Sequence, residues 1–364
     1  MNRKIKTIGF ILLIMTGQII YGQTTNEEKA LDKGKEAIQL MDDGKIDESI
    51  ELLKEAQKLD PNRIDYPYEL ALAHYLKKDY TESIKILEKI ASRKDVTERL
   101  FQLLGNSYDM MGKSDKAFKV YDAGLKKFPQ SGMMYLEKGN VYWAKQEYDK
   151  ALPYYEEGIE VDPKFPSNYY RATKIYCNST EEVWGMIYGE IFMNLERNSN
   201  RTAEISKLLY DTYKSEIKIT SDTSFSVSFS QNISISAIDL KKDPSKMKLP
   251  FGIGVYEPTL MFSILGEKTI NMETLNSIRS TFIDNYFKNG YDKTYPNVLF
   301  NYQKQIKEAG HIESYNHWLL MKGNEDEFDE WYSENKEKWD NFVKWFTENG
   351  LKIDENTKFF RGQY

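Results

Sequence analysis

A 34-residue rhythm runs through the first half of this chain. One turn of it reads Phe101, Leu104, Gly105, Tyr108, then Ala117, Tyr121, Gly124 and Pro129. The next, 34 residues on, reads Tyr135, Lys138, Gly139, Tyr142, then Ala151, Tyr155, Gly158 and Pro163. Backwards the register holds through Leu70, Ala71, His74, Ser83, Leu87 and Ile90. Before that come Glu36, Ala37, Leu40, Ser49, Leu53, Ala56 and Pro61. A fixed period of this length means one supersecondary unit copied in tandem, and only stacked copies bury a continuous core.

The residues at fixed offsets say what the unit is. Ala37, Ala71, Gly105 and Gly139 are small where a first helix, A, must approach a second, B. Ser49, Ser83, Ala117 and Ala151 are the matching small positions on B. Bulky Leu53, Leu87, Tyr121 and Tyr155 are expected to fill the seam to the next unit. Pro61, Pro129 and Pro163 end helix B, because proline lacks the N–H and holds the residue before it out of the helical region. The second unit departs, with Asp95 where the others have proline.

These positions resemble the tetratricopeptide repeat over residues 27–178, as four units and a partial fifth. The resemblance implies a mainly α fold: a helical-hairpin solenoid, here followed by a smaller α+β C-terminal domain. It also implies a groove lined by defined helix A positions, where a protein or peptide segment binds. On this register the positions are Leu31, Ile38 and Met41; then Asp65, Tyr68, Leu72, Tyr75 and Leu76. The third and fourth units supply Arg99, Gln102, Asn106, Asp109 and Met110, then Met133, Leu136, Asn140, Trp143 and Ala144. We take Tyr68, Tyr75, Arg99, Asn106, Asn140 and Trp143 as the candidate groove residues. An amide donates and accepts at once, which suits a peptide backbone, and large aromatic rings supply rigid contact area. Arg99 is the lone cation among these positions, which argues against a clamp for a chaperone's C-terminal carboxylates.

Beyond residue 178 the pattern loosens. Tyr169–Tyr176 fits a fifth helix A, but Gly185 and Gly189 fall in the small and bulky slots of the helix B that should follow. Residues 179–218 are therefore expected as capping and linking helices. Val183, Ile187, Ile191 and Leu195 lie four apart on one; Ile205, Leu208, Leu209 and Tyr213 share a face of the other. Glu190, inside the apolar stretch, is a candidate buried carboxylate, with Arg197 or Arg201 as the expected partner.

The N-terminus suggests a compartment. Arg3, Lys4 and Lys6 precede an apolar run of about 13 residues, Ile8 to Ile20, too short to span a bilayer and placed like a signal-peptide core. Residues 1–22 are the expected signal peptide, cut between Gly22 and Gln23. The sole cysteine, Cys177, is too far along for a lipid anchor, so the expectation is an exported protein, periplasmic or secreted and cell-envelope associated, with no span left after cleavage. The net charge of −6 becomes −9 without the signal peptide, which holds three bases and no acid. A chain this acidic has no general pull toward phosphate backbones, so nucleic acid is not an expected partner.

A different texture begins near residue 219 and runs to 364. Phe225, Val227 and Phe229 alternate with Ser224, Ser226, Ser228 and Ser230, a period-2 signal. With Ile233, Ile235 and Ala237 after Gln231-Asn232, this predicts a β-hairpin. The segment 241–248, with Asp243-Pro244, reads as a loop. Helices are expected from Pro258, after Asn271, and over 298–308, 311–321 and 325–349. Gly310, Gly323 and Gly350 fall where C-caps belong. The last helix carries Phe328, Trp331, Tyr332, Trp339, Phe342, Trp345 and Phe346 as an aromatic stripe, either core or a stacking surface for sugar or peptide.

No catalysis, metal or cofactor is expected. G-x-S-x-G, the P-loop and G-x-G-x-x-G are missing, and Gly252-Ile253-Gly254 is a lone G-x-G. Glu313 and His317, four apart, begin no recognisable metal site without a third ligand. The alternative is an enzyme or sugar-binding module in residues 219–364 with the repeats as a docking arm. A cleft lined by His311, Glu313, His317 or the tryptophans would favour that alternative.

Overall fold

The computed structural model describes residues 25–221, 224–231 and 249–364. The signal-peptide segment, the strand expected at 233–237 and the loop at 241–248 lie outside the described residues. Two compact units divide the chain, one ending at Asp95 and the other running from Val96 to Tyr364.

The first unit contains two helical hairpins: α1 (Asn26–Asp42) with α2 (Ile46–Leu59), and α3 (Asp65–Leu76) with α4 (Tyr80–Ile90). A capping box starts α1: the Glu28 N–H donates to Thr25 Oγ1 at 3.1 Å, and the Thr25 N–H donates back to Glu28 at 2.8 Å. Ala37, Met41, Ile50, Leu53, Leu70 and Ala73 form the core. Met41 is therefore packed inside, not set on the groove. In the unit that lacks the proline, α4 stops at Ile90, short of Arg93, the register equivalent of Leu59. Arg93 and Asp95 then form an ion pair at 2.7 Å in the turn.

The second unit continues the period. Its elements are α5 (Glu98–Met110), α6 (Ser114–Lys127), α7 (Gly132–Ala144), α8 (Tyr148–Val161), α9 (Pro166–Tyr176), α10 (Glu182–Leu195) and α11 (Asn200–Glu216). In register, α7, α9 and α11 start together, and α8 and α10 start and end together. The residues before Pro129 and Pro163, Phe128 and Asp162, both leave the helical region, at φ −129° and −135°. The turn between A and B carries a left-handed residue in each of the first four repeats: Gly44, Lys78, Gly112 and Gln146, with φ from 61° to 78°. Only two of them are the glycine this conformation favours.

Inside a repeat the tyrosine of helix B lies on the glycine of its own helix A. A Cβ on Gly105 would stand 2.1 Å from the Tyr121 ring, and one on Gly139 would stand 2.4 Å from Tyr155. The small-residue expectation is thus met. These two tyrosines also serve the contact within their own unit, where the sequence placed them at the seam to the next.

The helix α10 is buried at every residue from Glu182 to Asn194. A helix apolar around its whole circumference needs cover on all sides. On one side α9 and α11 supply it: a Cβ on Gly189 would lie 2.9 Å from Leu209 and 3.0 Å from Thr173. The rest comes from beyond residue 219. There α11 runs into β1 (Ile217–Ser221), which pairs antiparallel with β2 (Ser224–Val227) in the register Ile217 to Val227. The hairpin partner of the alternating segment is thus the strand before it. The chain after β2 docks on α10, with the Val183 N–H donating to the Phe229 carbonyl at 2.9 Å.

A π-turn (Gly252–Tyr256) leads into α12 (Glu257–Ile264), followed by α13 (Met272–Lys288), α14 (Tyr291–Thr294), α15 (Val298–Glu308) and α16 (Ile312–Leu320). Asn271 caps α13 as expected, accepting the Thr274 N–H at 2.9 Å. The long aromatic helix is two helices, α17 (Glu325–Glu334) and α18 (Lys336–Glu348), broken at Asn335 with ψ 27°. Phe342 and Phe346 are core; Phe328, Trp331, Tyr332 and Trp339 are half-buried. Of the three C-cap glycines, Gly310 is left-handed, at φ 80°. Gly323 instead permits close approach, since a Cβ there would meet the Tyr210 side chain at 2.1 Å.

The C-terminal tail crosses back over the repeats. Arg361 pairs with Glu156 on α8 at 2.8 Å, the Lys358 ammonium donates to the Glu160 carbonyl at 2.9 Å, and buried Phe359 stacks on Trp184 at 5.8 Å. One buried cluster runs from Ala151 through α9, α10, α11 and α12–α16 to Phe359.

Candidate functional site

The candidate groove residues fall in both units. In the first, Tyr68 and Tyr75 lie half-buried on α3, and the Tyr75 ring meets Tyr80 edge-on at 5.3 Å. Leu76 beside them is 48% exposed.

In the second unit α5, α7 and α9 lie side by side and share one face. Arg99 is exposed near the start of α5. Asn106 and Asn140 occupy equivalent slots, and each is held by the tyrosine behind it. The Tyr121 hydroxyl donates to Asn106 Oδ1 at 2.6 Å, and the Tyr155 hydroxyl donates to Asn140 Oδ1 at 3.2 Å. The amide carbonyls are therefore committed to the scaffold. Asn140 Nδ2 reaches Glu137 at 3.2 Å, and Gln102 Nε2 donates to the other oxygen of Glu137 at 2.6 Å. This ladder ties α5 to α7.

Trp143 is half-buried and firmly placed. Tyr148 and Tyr155 meet its ring edge-on at 5.0 and 6.4 Å, and the Arg171 guanidinium covers it at 4.6 Å. Among the described residues Arg171 has no carboxylate partner. Lys174 extends the row, 5.8 Å from Trp143 and 5.2 Å from Tyr170, and pairs with Glu204 at 2.6 Å. Partial burial would lower the Lys174 ammonium, but Glu204 and Tyr170 together offset this and raise it. Arg201 lies 5.0 Å from the Tyr170 ring. None of Tyr170, Arg171 or Lys174 was singled out from the sequence, and Arg201 was named only as an expected partner of Glu190. The signal was available: Tyr170 and Lys174 stand 34 residues after Leu136 and Asn140, and Glu204 stands 34 after Tyr170.

The other candidates are placed elsewhere. Glu190 pairs with Arg279 on α13 at 2.8 Å, not with Arg197 or Arg201. Gln303 and Tyr315 also donate to Glu190, and Arg279 is held further by Asn316 and Tyr213, each at 2.8 Å. Burial would pull the Arg279 guanidinium down, yet the Glu190 carboxylate holds it up. A cavity of about 20 Å³ beside this network is large enough for about one water. Burial pushes the Cys177 thiol up to about 12, so it is inert at neutral pH. Gly252 and Gly254 pack against Ser230 and Leu249. Among the described residues no group of three or more His, Cys, Asp or Glu is set to hold a metal, and no helix is long and apolar enough to cross a membrane.

A cleft of about 430 Å³ opens between the start of α13, α16 and α17, lined by Glu313, His317 and Trp331 among others. His311 stands apart from it, against Trp345 at 5.4 Å.

Family models of the tetratricopeptide repeat match residues 40–106, 101–131 and 134–165. The chain carries tetratricopeptide repeats. A TPR repeat-containing protein of Methanocaldococcus jannaschii is 32% identical over 99 residues, 27% of this chain and 17% of that protein. The match therefore spans under a fifth of the relative's length. Among solved structures, a thermophilic TPR protein of Thermus thermophilus is 15% identical, covering 50% of this chain and 98% of that one, with a TM-score of 0.41. PilF of Pseudomonas aeruginosa is 14% identical, covering 52% and 85%, with a TM-score of 0.42. MamA is 20% identical, covering 46% and 92%, with a TM-score of 0.35.

Proposed function

We propose that this tetratricopeptide protein is an exported interaction scaffold, and that the face of α5, α7 and α9 takes an extended peptide or protein segment. The observation that carries the reading is Trp143 clamped between Tyr148 and Arg171, next to the Gln102–Glu137–Asn140 ladder. Side chains fixed before binding lose little entropy on binding, and an aromatic paired with an arginine is the usual composition of a binding hot spot. Export rests on Arg3, Lys4, Lys6 and the apolar run from Ile8 to Ile20; the location it implies is the periplasm or the outer face of the envelope.

Two measurements test this. N-terminal mass analysis of envelope protein should find a chain beginning near Gln23, and an intact Met1 on a soluble cytoplasmic species contradicts export. Cross-linking in the native cells should capture a protein partner. A Met110→Asp, Arg171→Gln variant should lose that capture and weaken the isolated complex by about tenfold, or 1.4 kcal/mol. Met110 is 55% exposed and Arg171 half-buried, so the melting temperature should hold within a few degrees. Undiminished capture by the folded variant contradicts the reading.

A further inference from the structure

The cleft at the start of α13 has a lining of one kind. Five glutamates face it, Glu273, Glu313, Glu327, Glu330 and Glu334, with Asn271, Asn276, His317, Met272 and Trp331, and no lysine or arginine. Two of the five are already engaged. Glu313 takes Lys338 at 2.9 Å and the Trp331 indole N–H at 2.7 Å. Glu327 accepts the Met272 N–H at 2.7 Å. The other three, Glu273, Glu330 and Glu334, form no ion pair among the described residues.

The second observation is His317. It is 3% exposed, lines the cleft, and lies flat on the Trp331 ring, 4.0 Å away at 16°. Its Nδ1 contacts the Glu313 carbonyl at 2.8 Å, and a carbonyl only accepts, so Nδ1 carries the hydrogen. The remaining nitrogen, Nε2, is then an acceptor, and it has no hydrogen-bond partner among the described residues. Burial lowers the His317 pKa and keeps the ring neutral.

We propose that this cleft binds an alkylammonium group. An ammonium is a compact cation with three donors and no acceptor. The cleft answers with an imidazole nitrogen and unpaired carboxylates, and with Met272 and Trp331 for the alkyl stem. An anion would meet a surplus of negative charge. A planar guanidinium would need paired carboxylates in its own plane, and here one acceptor is a single ring nitrogen. The ammonium has two sources, a free amine or a lysine side chain of a partner protein. The inference does not depend on the groove reading, since the cleft is built from α13, α16 and α17.

Calorimetric titration of the full mature chain tests it. The probes are n-butylammonium chloride and the peptide acetyl-Gly-Lys-Gly-amide, with n-butanol and sodium butyrate as controls. Saturable binding of at least one cation is expected at or below about 10 mM, with neither control binding. A Glu330→Gln, Glu334→Gln variant should bind about tenfold more weakly. So should His317→Phe, which keeps the stack on Trp331 and removes Nε2. Both glutamates are exposed, so the double variant keeps its fold. The Met110→Asp, Arg171→Gln variant should bind the probes like the parent chain. Tighter binding of the peptide points to a lysine side chain; equal or tighter binding of butylammonium points to a free amine. No saturation by either cation, equal binding of butanol or butyrate, or unchanged affinity in the double glutamate variant overturns the proposal.

Discussion

The helices α8 and α10 sit one repeat apart in the same register, and they have opposite surroundings. The helix α8 is a conventional helix B: Tyr155 covers Gly139, its hydroxyl holds Asn140, and residues such as Glu157 and Glu160 remain in solvent. The helix α10 has Gly189 in the slot of Tyr155, and almost nothing of it reaches water. The 34-residue period fixes where a helix lies. What covers the helix decides which side chains it can carry. In α10 the glycine brings α9 and α11 close, and C-terminal elements cover the remaining sides. A carboxylate, Glu190, can then be retained only with Arg279, Gln303 and Tyr315 around it, because a buried charge without partners is costly.

The largest expected effect comes from breaking that arrangement. Glu190→Ala leaves the Arg279 guanidinium buried without its counter-ion, and should cost about 3–5 kcal/mol in urea unfolding. A loss below about 1 kcal/mol would show that water reaches the site. The matching change in the regular repeat is smaller. Gly139→Ala places a methyl 2.4 Å from the Tyr155 ring, forcing a shift that should cost about 1–3 kcal/mol. A neutral result would mean that Tyr155 swings away freely and that the ladder to Asn140 is loose.

Next comes a pH effect at the start of α10. Burial raises the Glu182 carboxyl to about 7, from an ordinary value of 4.5. Its folded pKa lies above its unfolded one, so the folded state holds the proton longer. The contribution is fully present below about pH 4.5 and is lost as pH rises toward 7, on the order of 2 kcal/mol. Unfolding of Glu182→Gln measured across that window should lack this decline, and an identical pH profile in the variant would contradict it. The smallest effect belongs to the turns. Lys78→Gly and Gln146→Gly relieve a left-handed conformation at φ 66° and 61°, and each should raise the melting point through a gain of about 0.5–1 kcal/mol. Destabilisation by either would show that these side chains make contacts worth more than the relief.

The regular part was legible because its signals are local. Prolines 61, 129 and 163, the small residues at the A–B crossing, and the caps Asn271 and Gly310 act within a few residues of themselves. The candidate face was partly legible: Asn106, Asn140 and Trp143 share it, but Arg171 and Lys174 were passed over because the fifth repeat lacks its usual glycine and tyrosine. The partner of Glu190 was not legible. Arg279 lies 89 residues away, and nothing in the spacing links them. The pairing of β2 with Ile217–Ser221 was not legible, because that segment directly continues a helical pattern; the strand expected at 233–237 lies outside the described residues. The aromatic stripe masked the break at Asn335, since the apolar spacing continues across it.

The sequence expects a boundary between Lys218 and Asp222, whereas the buried cluster around α10 draws on both sides of it. Native-state hydrogen exchange on the full chain separates the two. If α10 and the C-terminal helices hold one core, the slowest amides of α10, α13, α15 and α16 exchange through a single opening with one free energy and one denaturant slope. Exchange of α13, α15 and α16 through a separate, lower-energy opening, with α10 still protected, would contradict the account and leave residues 219–364 as a domain of their own.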